Sequence, residues 1–549
     1  MPAWHVPYPE PMPDLLTLVL PDGIQGLLSV PILQRLEYDI LPAYLPMRRW
    51  FATKNETLHS ARLVEACMME DKTASIVLTE VAVKSDSGTV RYLLPIGLID
   101  EAAISGPLPE QLALARTRRG KHLGYLTDAF ALKEFGNLLV RLLRKQACLP
   151  ARDGEVRFCL ANACRSLPSV DDADVRWIGV EQSNSSLVVG NAVIIKIIRR
   201  VVGGQHPEAE MSRELTARGF ANTAPMLGEI VRVDKDGVPH VWAIAQGYIH
   251  NQGDGWSWMQ SLIERLRQTT LIAVDDGVLL DRSLLQREIS EFAGIIGRRL
   301  SEMHGVLAAP SDNPDFATEI AGQEQCGRWT RSVQEQIDAA LTVLAQTQNW
   351  TEAWQVDASN ALVQARAFLH GSVQRLAASG QGSLCCRIHG DMHLGQVLVA
   401  QQDAYLIDFE GEPARTLEER RGKNSPQRDV AGMLRSLDYA IAKAGEGASA
   451  AFNALLTESG NAIHAAFMHS YRQSANEWEV SGPDTADSLV ELFLLEKVAY
   501  EIVYEAANRP AWLPVPLQGL VKLAERLGLS SVAGWEPGRP AVAAQRRIL

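Results

Sequence analysis

The stretch that decides the expected fold reads Arg387-Ile388-His389-Gly390-Asp391-Met392-His393-Leu394-Gly395-Gln396. Two short apolar runs follow it, separated by the polar turn Gln401-Gln402-Asp403, and this pattern predicts a β-hairpin. Asp391 therefore lies on the loop that leads into the hairpin. Asp408 lies where the hairpin ends.

This spacing matches a phosphoryl-transfer site. In such sites a loop aspartate accepts the proton of the acceptor hydroxyl, a side chain five residues later helps to hold magnesium, and an aspartate after the next hairpin strand holds the ions on the phosphates. We therefore expect Asp391 to be the catalytic base. Gln396 and Asp408 are the expected magnesium ligands, because amide and carboxylate oxygens suit a hard cation. His389 is expected to support the loop by hydrogen bonding.

The alternative to this interpretation is a pair of surface carboxylates on either side of a hairpin. It would require the His-Gly-Asp string, the glutamine five residues later and the Asp-Phe-Glu string to coincide. One such match alone would carry little weight.

A phosphate-donor segment is expected upstream of the loop. The turn Gln182-Ser183-Asn184-Ser185-Ser186 joins two predicted strands, and its hydroxyl and backbone N–H groups could bind the phosphates of ATP. The turn lacks the G-x-G-x-x-G pattern, so an ordinary polar hairpin turn is the alternative.

Lys196 is the expected phosphate-binding lysine. It ends the apolar strand Val193-Ile194-Ile195, and a lysine in this position contacts the α- and β-phosphates in kinases. We predict Glu210 as its acidic partner in preference to Glu208, because Glu210 lies further into the helix that Pro207 begins. The alternative is an edge lysine that is paired only at the surface, where ion pairs contribute little.

Composition argues for a soluble, cytoplasmic enzyme. The 53 basic and 65 acidic residues give a net charge of −12, which would repel nucleic acid and anionic membrane surfaces. Seven cysteines in 549 residues do not suggest a disulfide framework. Neither a secretory signal nor an apolar run of about 18 residues is evident. We therefore expect no nucleic-acid partner and no membrane association.

With these residues in hand, the chain resembles the maltokinases, which belong to the aminoglycoside-phosphotransferase and protein-kinase-like superfamily. The strings that carry the resemblance are residues 181–186 (EQSNSS), 251–256 (NQGDGW), 389–397 (HGDMHLGQV), 408–413 (DFEGEP) and 425–436 (SPQRDVAGMLRS). Residues 41–46 (LPAYLP) and 49–51 (RWF) are similar to the N-terminal cap of this family. The resemblance therefore spans nearly the whole chain.

The periodicity of the chain and this resemblance predict an α+β, bilobal protein-kinase-like fold. We predict a proline-rich arm over residues 1–13, a cap subdomain over 14–150, a nucleotide-binding lobe with a small antiparallel sheet over 151–250, and a mainly helical lobe with the catalytic and sugar-binding site over 251–549. The hinge that recognises adenine is expected at Gln246, Gly247, Tyr248 and Ile249.

The resemblance implies ATP- and magnesium-dependent phosphorylation of maltose at its anomeric hydroxyl. The product, maltose 1-phosphate, would feed glycogen and α-glucan synthesis from trehalose, and trehalose synthase is the implied partner enzyme. Glu410 is implied as a third magnesium ligand. A kinase of the same fold for glucosamine or an aminoglycoside stays open, since it would differ only in the acceptor pocket. A catalytically inactive pseudokinase that acts as a scaffold is the alternative from another class.

The expected sugar site lies on a predicted helix within residues 496–510. Its candidate substrate-binding residues are Lys497, Tyr500, Glu501, Tyr504 and Asn508. Positions 497, 501, 504 and 508 would share one helix face that mixes polar and aromatic groups, although a solvated charged face is the alternative. His393, Arg428 and Asp429 are further candidates. Asp429 could instead be the N-cap of its helix.

Overall fold

The computed structural model describes residues 15–54, 56–72, 74–162, 164, 167, 173–178, 183–276 and 282–529. The predicted arm, residues 1–13, and Gln182 lie outside the described residues. The chain divides into two compact units. The first, here called the sheet unit, contains Met1–Ala217 and Ala224–His250, and the second, the helical unit, contains Arg218–Thr223 and Asn251–Leu549.

The sheet unit contains two sheets, of which the first is formed mainly by the N-terminal part of the chain. Its strands are β1 (Thr17–Val19), β2 (Leu58–Glu70), β3 (Ser75–Ser85), β4 (Gly88–Asp100), β5 (Ala113–Arg119) and β6 (His122–Asp128). They are arranged in the order β1-β5-β6-β4-β3-β2, with β1 parallel to β5 and the other neighbours antiparallel. We call this sheet the cap sheet.

The second sheet is antiparallel throughout and is called the lobe sheet. Its strands are β7 (Cys148–Pro150), β8 (Glu155–Leu160), β9 (Val175–Trp177), β10 (Ser185–Val189), β11 (Val193–Ile197), β13 (Met226–Val233) and β14 (Pro239–Gly247), in the order β7-β8-β13-β14-β11-β10-β9. The short strand β12 (Arg200–Val201), which follows β11 in sequence, does not join the lobe sheet. It pairs with β4 of the cap sheet. Gly190, Asn191 and Ala192 connect β10 to β11, and Gly190 and Asn191 have φ of 59° and 53°, in the left-handed region that tight hairpin loops use.

One apolar core joins the two sheets of this unit. The helices of the unit are α1 (Val30–Arg35), α2 (Leu41–Tyr44), α3 (Leu108–Gln111), α4 (Lys133–Arg144) and α5 (Pro207–Ala217). Helix α4 contributes Phe135, Leu138 and Leu139 to a core that also contains side chains of both sheets. A Cβ at Gly136 would lie 3.0 Å from the Leu187 and Val189 side chains, so the close approach of α4 to β10 depends on glycine. The cap and the lobe sheet therefore share their hydrophobic interior.

A buried ion pair links the cap sheet to the lobe sheet. The Glu80 carboxylate on β3 accepts hydrogen bonds from Arg232 Nε at 2.8 Å and from Trp242 Nε1 at 2.7 Å. Nearby on β2, Glu65 accepts the backbone N–H groups of Arg152 and Asp153. These acids are almost completely shielded from solvent, so each needs its partners to offset the loss of hydration.

The helical unit consists of helices, one β-hairpin and a second two-stranded sheet whose strands lie far apart in sequence. Its helices are α6 (Gly255–Asp276), α7 (Arg282–Ala308), α8 (Gln323–Gln346), α9 (Ala353–Gln364), α10 (Arg366–Ser379), α11 (Leu417–Arg421), α12 (Gln427–Gly445), α13 (Ala450–Ala475), α14 (Pro483–Asn508) and α15 (Pro514–Arg526). Its strands are β15 (Glu319–Ile320), β16 (Leu384–Cys385), β17 (Val397–Ala400) and β18 (Asp403–Leu406). The predicted hairpin after the catalytic loop is β17 and β18. In the part of the chain that the structure describes, no helix combines the length and apolarity that crossing a membrane requires.

Glu80→Ala is expected to lower the free energy of unfolding by about 3 to 5 kcal/mol, because it leaves the buried Arg232 guanidinium without its counter-charge. Chemical denaturation of the full chain measures the change. Arg157→Ala is the control, since this arginine on β8 pairs with Glu155 at the surface and should shift the transition far less. Equal shifts for the two variants would contradict the role given to Glu80.

Candidate phosphoryl-transfer site

The backbone of the loop around Asp391 is held by the carboxylate of Asp429. One oxygen of Asp429 accepts the N–H of His389 at 2.7 Å, and the other accepts the N–H of Gly390 at 2.9 Å. Gly390 has φ of 82°, a left-handed conformation that glycine adopts without strain. Asp429 lies within the first turn of α12, behind Pro426 at the N-cap position, so the alternative prediction of an N-cap role is wrong.

Asp429 is itself held by buried groups from distant helices. His304 Nε2 on α7 lies 3.0 Å from the Asp429 carboxylate, and His304 Nδ1 lies 2.9 Å from the Tyr471 hydroxyl on α13. Burial alone would raise the pKa of Asp429, but its interactions with His304, His389 and the N–H of Gly390 together lower this pKa below its usual range. The carboxylate therefore stays ionised and accepts both loop N–H groups.

His389 occupies the supporting position that we predict from the sequence. Its Nε2 donates to the carbonyl oxygen of Ile407 at 2.9 Å, and its Nδ1 lies 3.4 Å from the N–H of Asp391. The ring also packs against Phe409, with 5.1 Å between ring centroids. The histidine thus connects the loop to the segment that carries Asp408.

The predicted magnesium ligands in the helical unit lie close together. Gln396 Nε2 donates to the Asp408 carboxylate at 3.0 Å, and the N–H of Ile407 donates to the Gln396 carbonyl. Asp408 has φ of 68°, unusual for a residue other than glycine, and Glu410 follows two residues later. Two carboxylates and an amide oxygen form a set of hard oxygen donors, so these residues fit magnesium.

A pocket opens beside Asp391 on the helical unit. Helix α14 lines it with Phe493, Glu496, Lys497 and Tyr500, which recur at the spacing of one helix face. Burial raises the pKa of Tyr500 to about 12, so its hydroxyl stays protonated and can donate a hydrogen bond at neutral pH.

The charges around this pocket are compensated. Lys497 Nζ lies 3.7 Å from the Asp391 carboxylate. Arg415 pairs with Glu412 at 2.9 Å and with Glu496 at 3.3 Å, and Glu496 also pairs with Arg428. Burial would raise the pKa of Glu496, but the two arginines outweigh burial and lower it. Each of these acids therefore faces a cation.

The helix face that we predict for sugar binding is wrong at Glu501. This side chain turns away from the pocket and accepts two hydrogen bonds from Arg435, at 2.9 and 2.7 Å, in the interior. Tyr504 is exposed and stacks on Tyr500 with 6.1 Å between centroids, while Asn508 donates to the Tyr504 carbonyl. Phe493 and Glu496 occupy the face instead. In the sequence, the one sign that Phe493 and Glu496 share this face is that they lie four residues before Lys497 and Tyr500, respectively.

The three further candidates for substrate binding are His393, Arg428 and Asp429. Arg428 lines the pocket, where its guanidinium pairs with Glu496. His393 accepts the N–H of Gly395 and caps the short helical turn Leu394–Gln396. Burial lowers the pKa of His393, which favours the neutral imidazole. Asp429 borders the pocket, but its hydrogen bonds give it the role of holding the loop.

In the sheet unit, Lys196 pairs with Glu208, the acid that we ranked second to Glu210. Lys196 Nζ lies 2.6 Å from the Glu208 carboxylate. Successive residues are about 100° apart on a helix, so positions 208 and 210 of α5 face different directions. Ser186 lies opposite Lys196 in the β10–β11 ladder.

The side chains of the predicted phosphate-binding turn are divided between surface and interior. Ser183 is exposed, whereas Ser185 is buried and its hydroxyl accepts a hydrogen bond from Arg199. The amide oxygen of Asn184 accepts the N–H of Arg199. The prediction that the Ser185 hydroxyl binds phosphate is therefore wrong, because its position is internal.

Two backbone N–H groups of the predicted hinge are already bonded within the sheet unit. Gly247 donates to the Pro225 carbonyl and Tyr248 to the Ala192 carbonyl, both at 2.9 Å. The Gln246 side chain is buried and donates to Ser212 on α5. Gly247 and Tyr248 are therefore not the N–H donors for adenine. Ile249, the last predicted residue, follows β14.

Asp429→Asn is expected to lower kcat by about 10²-fold, because the loss of one acceptor and of the charge releases the loop that orients Asp391. Steady-state kinetics measure the effect. Glu501→Gln is a matched control: it also neutralises a buried acid of the helical unit, and it should destabilise the protein but change kcat less than twofold. Similar losses of kcat in both variants would contradict the positioning role of Asp429.

Two protein families match successive parts of the chain. Residues 44–131 match the maltokinase N-terminal cap domain, and residues 177–415 match the phosphotransferase enzyme family. The first segment contains most of the cap sheet. The second runs from β9 to Arg415 at the pocket.

The curated relatives include two glucosamine kinases. The protein of Streptacidiphilus jiangxiensis is 25% identical over 360 residues, which cover 63% of this chain and 73% of the relative. That of Mycolicibacterium smegmatis is 25% identical over 344 residues, covering 62% and 77%.

Solved structures of a glucosamine kinase share the fold. The complex with glucosamine, ADP and inorganic phosphate has a TM-score of 0.59 at 20% identity and covers 84% of this chain and 93% of that one. A second crystal form has a TM-score of 0.60 at 19% identity and covers 85% and 94%. The kinase-like fold class predicted from the sequence is confirmed. The chain is therefore similar to the maltokinases in its N-terminal cap and to the phosphotransferase enzyme family over residues 177–415.

Proposed function

We propose that this protein is a maltokinase, which transfers the γ-phosphate of ATP to the anomeric hydroxyl of maltose with the help of magnesium. The observation that carries this proposal is the pocket beside Asp391. There Asp391, Glu412 and Glu496 are each paired with a lysine or an arginine. The rings of Phe493 and Tyr500 line the pocket. The matched maltokinase cap supports the same acceptor.

The compensated charges favour a neutral sugar over an amino sugar. An ammonium group would need a carboxylate without a cation beside it, because burying an unpaired charge is costly. Here Asp391 faces Lys497, and Glu496 faces Arg428. Tyr500 adds a phenol that can donate to a sugar oxygen and a ring that can pack against the sugar. Maltose meets these requirements without an added charge.

Asp391 would accept the proton of the acceptor hydroxyl. Its carboxylate orients the hydroxyl and takes the proton as the oxygen attacks the γ-phosphorus, while the bond from phosphorus to the β-phosphate oxygen breaks and ADP leaves. Asp429 and His389 fix the loop so that the carboxylate is already in position. Lys497 would place a positive charge near the transferred group.

The phosphate-donor side would use the other predicted residues. Gln396, Asp408 and Glu410 would hold magnesium, which when bound neutralises charge on the phosphates. Lys196, oriented by Glu208, would contact the α- and β-phosphates. Maltose 1-phosphate would then serve glycogen and α-glucan synthesis, and trehalose synthase would be the partner enzyme that supplies maltose from trehalose.

A glucosamine kinase is the second candidate function. The observation that favours it is the name of the curated relatives, each 25% identical to this chain over more than 340 residues. This alternative keeps the same catalytic base and metal ligands and changes only the acceptor.

A coupled assay of ADP release over maltose, glucosamine, glucose, trehalose and kanamycin distinguishes the candidates. We expect saturable turnover with maltose, and at least 10²-fold lower kcat/KM with glucosamine. A higher kcat/KM with glucosamine than with maltose would contradict the maltokinase proposal and support the glucosamine kinase. Absence of turnover with every acceptor, despite nucleotide binding, would instead support the inactive scaffold.

Asp391→Asn is expected to lower kcat by about 10²- to 10⁴-fold while the Kd for ATP changes little, because only proton acceptance and hydroxyl orientation are lost. Stopped assays and nucleotide titration measure the two quantities. Glu412→Gln is the control: it alters an acid of the same pocket and should act mainly on the KM for the acceptor. Near-normal kcat in Asp391→Asn would exclude this residue as the base.

A further inference from the structure

Arg199 lies in the interior between the lobe sheet and the cap sheet. Its side chain is 1% exposed, and it follows β11, the strand that carries Lys196. Nη2 pairs with the Asp128 carboxylate of β6 at 2.8 Å, and Nη1 donates to the Leu93 carbonyl of β4 at 3.3 Å. The guanidinium is therefore bound to the cap sheet on two strands.

The same residue also holds the turn that precedes β10. Arg199 Nε donates to the Ser185 hydroxyl at 2.7 Å, and the Arg199 N–H donates to the Asn184 amide oxygen at 3.1 Å. Ser185 is completely buried. Charge-assisted hydrogen bonds of this kind are stronger than neutral ones and direct the geometry of both partners. One side chain thus connects the cap sheet to the predicted phosphate-binding turn.

The backbone near Arg199 strengthens this connection. The Arg199 carbonyl accepts the N–H of Leu93 at 2.8 Å, and β12 then pairs with β4. The chain therefore runs from Lys196 into the cap sheet before it returns to α5, which carries Glu208. Both residues of the Lys196–Glu208 ion pair are attached to a segment that the cap sheet holds.

Arg232 provides a comparison within the same unit. It is equally buried and pairs with Glu80 of the cap sheet at 2.8 Å. Its other bonds in the described residues go to the Asp153 carbonyl and to the Glu65 carboxylate, away from the turn at Asn184 and Ser185. Both arginines join the cap to the lobe sheet, but Arg199 reaches the turn as well.

We propose that Arg199 is a positioning residue through which the cap determines the affinity for the nucleotide. It fixes Asn184 and Ser185, and with them the backbone of residues 183–186, so that backbone N–H groups there meet the phosphates in place of these two side chains. The inference rests on the proposed function for the identity of the ligand as ATP. It adds a role in nucleotide binding for the cap, which supplies Asp128 and Leu93.

The test compares Arg199→Lys and Ser185→Ala with Arg232→Lys in the full chain. Ser185→Ala removes the bond to the turn without unpairing a charge, since Asp128 keeps Arg199, and it keeps the proposal falsifiable if Arg199→Lys fails to fold. Calorimetry with magnesium and a non-hydrolysable ATP analogue gives the Kd. Thermal unfolding gives the Tm, and the coupled assay gives the KM for maltose.

We expect Arg199→Lys and Ser185→Ala to raise the Kd for the analogue about tenfold, the loss of roughly one charge-assisted hydrogen bond. The KM for maltose at saturating ATP should change less than twofold. Arg232→Lys should lower the Tm at least as much as Ser185→Ala but leave the Kd for the analogue within twofold of the parent protein.

Unchanged Kd values in both Arg199→Lys and Ser185→Ala would overturn this inference and leave the proposed function intact. An equal rise of the Kd in Arg232→Lys would also overturn it, because general destabilisation would then explain the effect. A parent protein that binds no analogue would overturn the proposed function and this inference with it.

Discussion

The carboxylate of Asp429 is the group on which the catalytic loop depends. It accepts two successive backbone N–H groups at the point where Gly390 turns into the left-handed region. Buried N–H groups without an acceptor would cost roughly 1 to 3 kcal/mol each. The loop geometry, and therefore the position of Asp391, follows from one ionised side chain that His304 keeps in place.

The same principle recurs in the sheet unit, where buried charges join the cap sheet to the lobe sheet. Glu80 with Arg232 and Asp128 with Arg199 are ion pairs that solvent hardly reaches. The desolvation cost of such pairs offsets much of their attraction, so they add little net stability. What they contribute is geometry, since each pair is favourable only when both partners are in place. The cap sheet and the lobe sheet are in this way fixed relative to each other.

Features that depend on neighbours in sequence could be predicted. The hairpin after Asp391 follows from local periodicity and turn chemistry. Features that depend on which face a helix turns toward its neighbours could not be predicted from the sequence. Glu208 and Glu210 are equally acidic and two residues apart, and only the packing of α5 brings the Glu208 carboxylate to within 2.6 Å of Lys196 Nζ. Glu501 likewise has the spacing of a pocket residue. It instead forms an ion pair with Arg435, because α12, which carries Arg435, packs against α14, the helix of Glu501.

The sequence by itself determined which candidate groups lie together within short segments: a loop aspartate, amide and carboxylate oxygens at fixed spacing, and a strand lysine. Only the tertiary structure decided which groups orient them. His304 meets Asp429 across 125 residues, and Arg199 meets Leu93 across 106. The physical reason is that a buried hydrogen bond depends on the packing of distant elements, which brings donor and acceptor within about 3 Å and excludes water, whereas local periodicity determines only which side of one element a residue occupies.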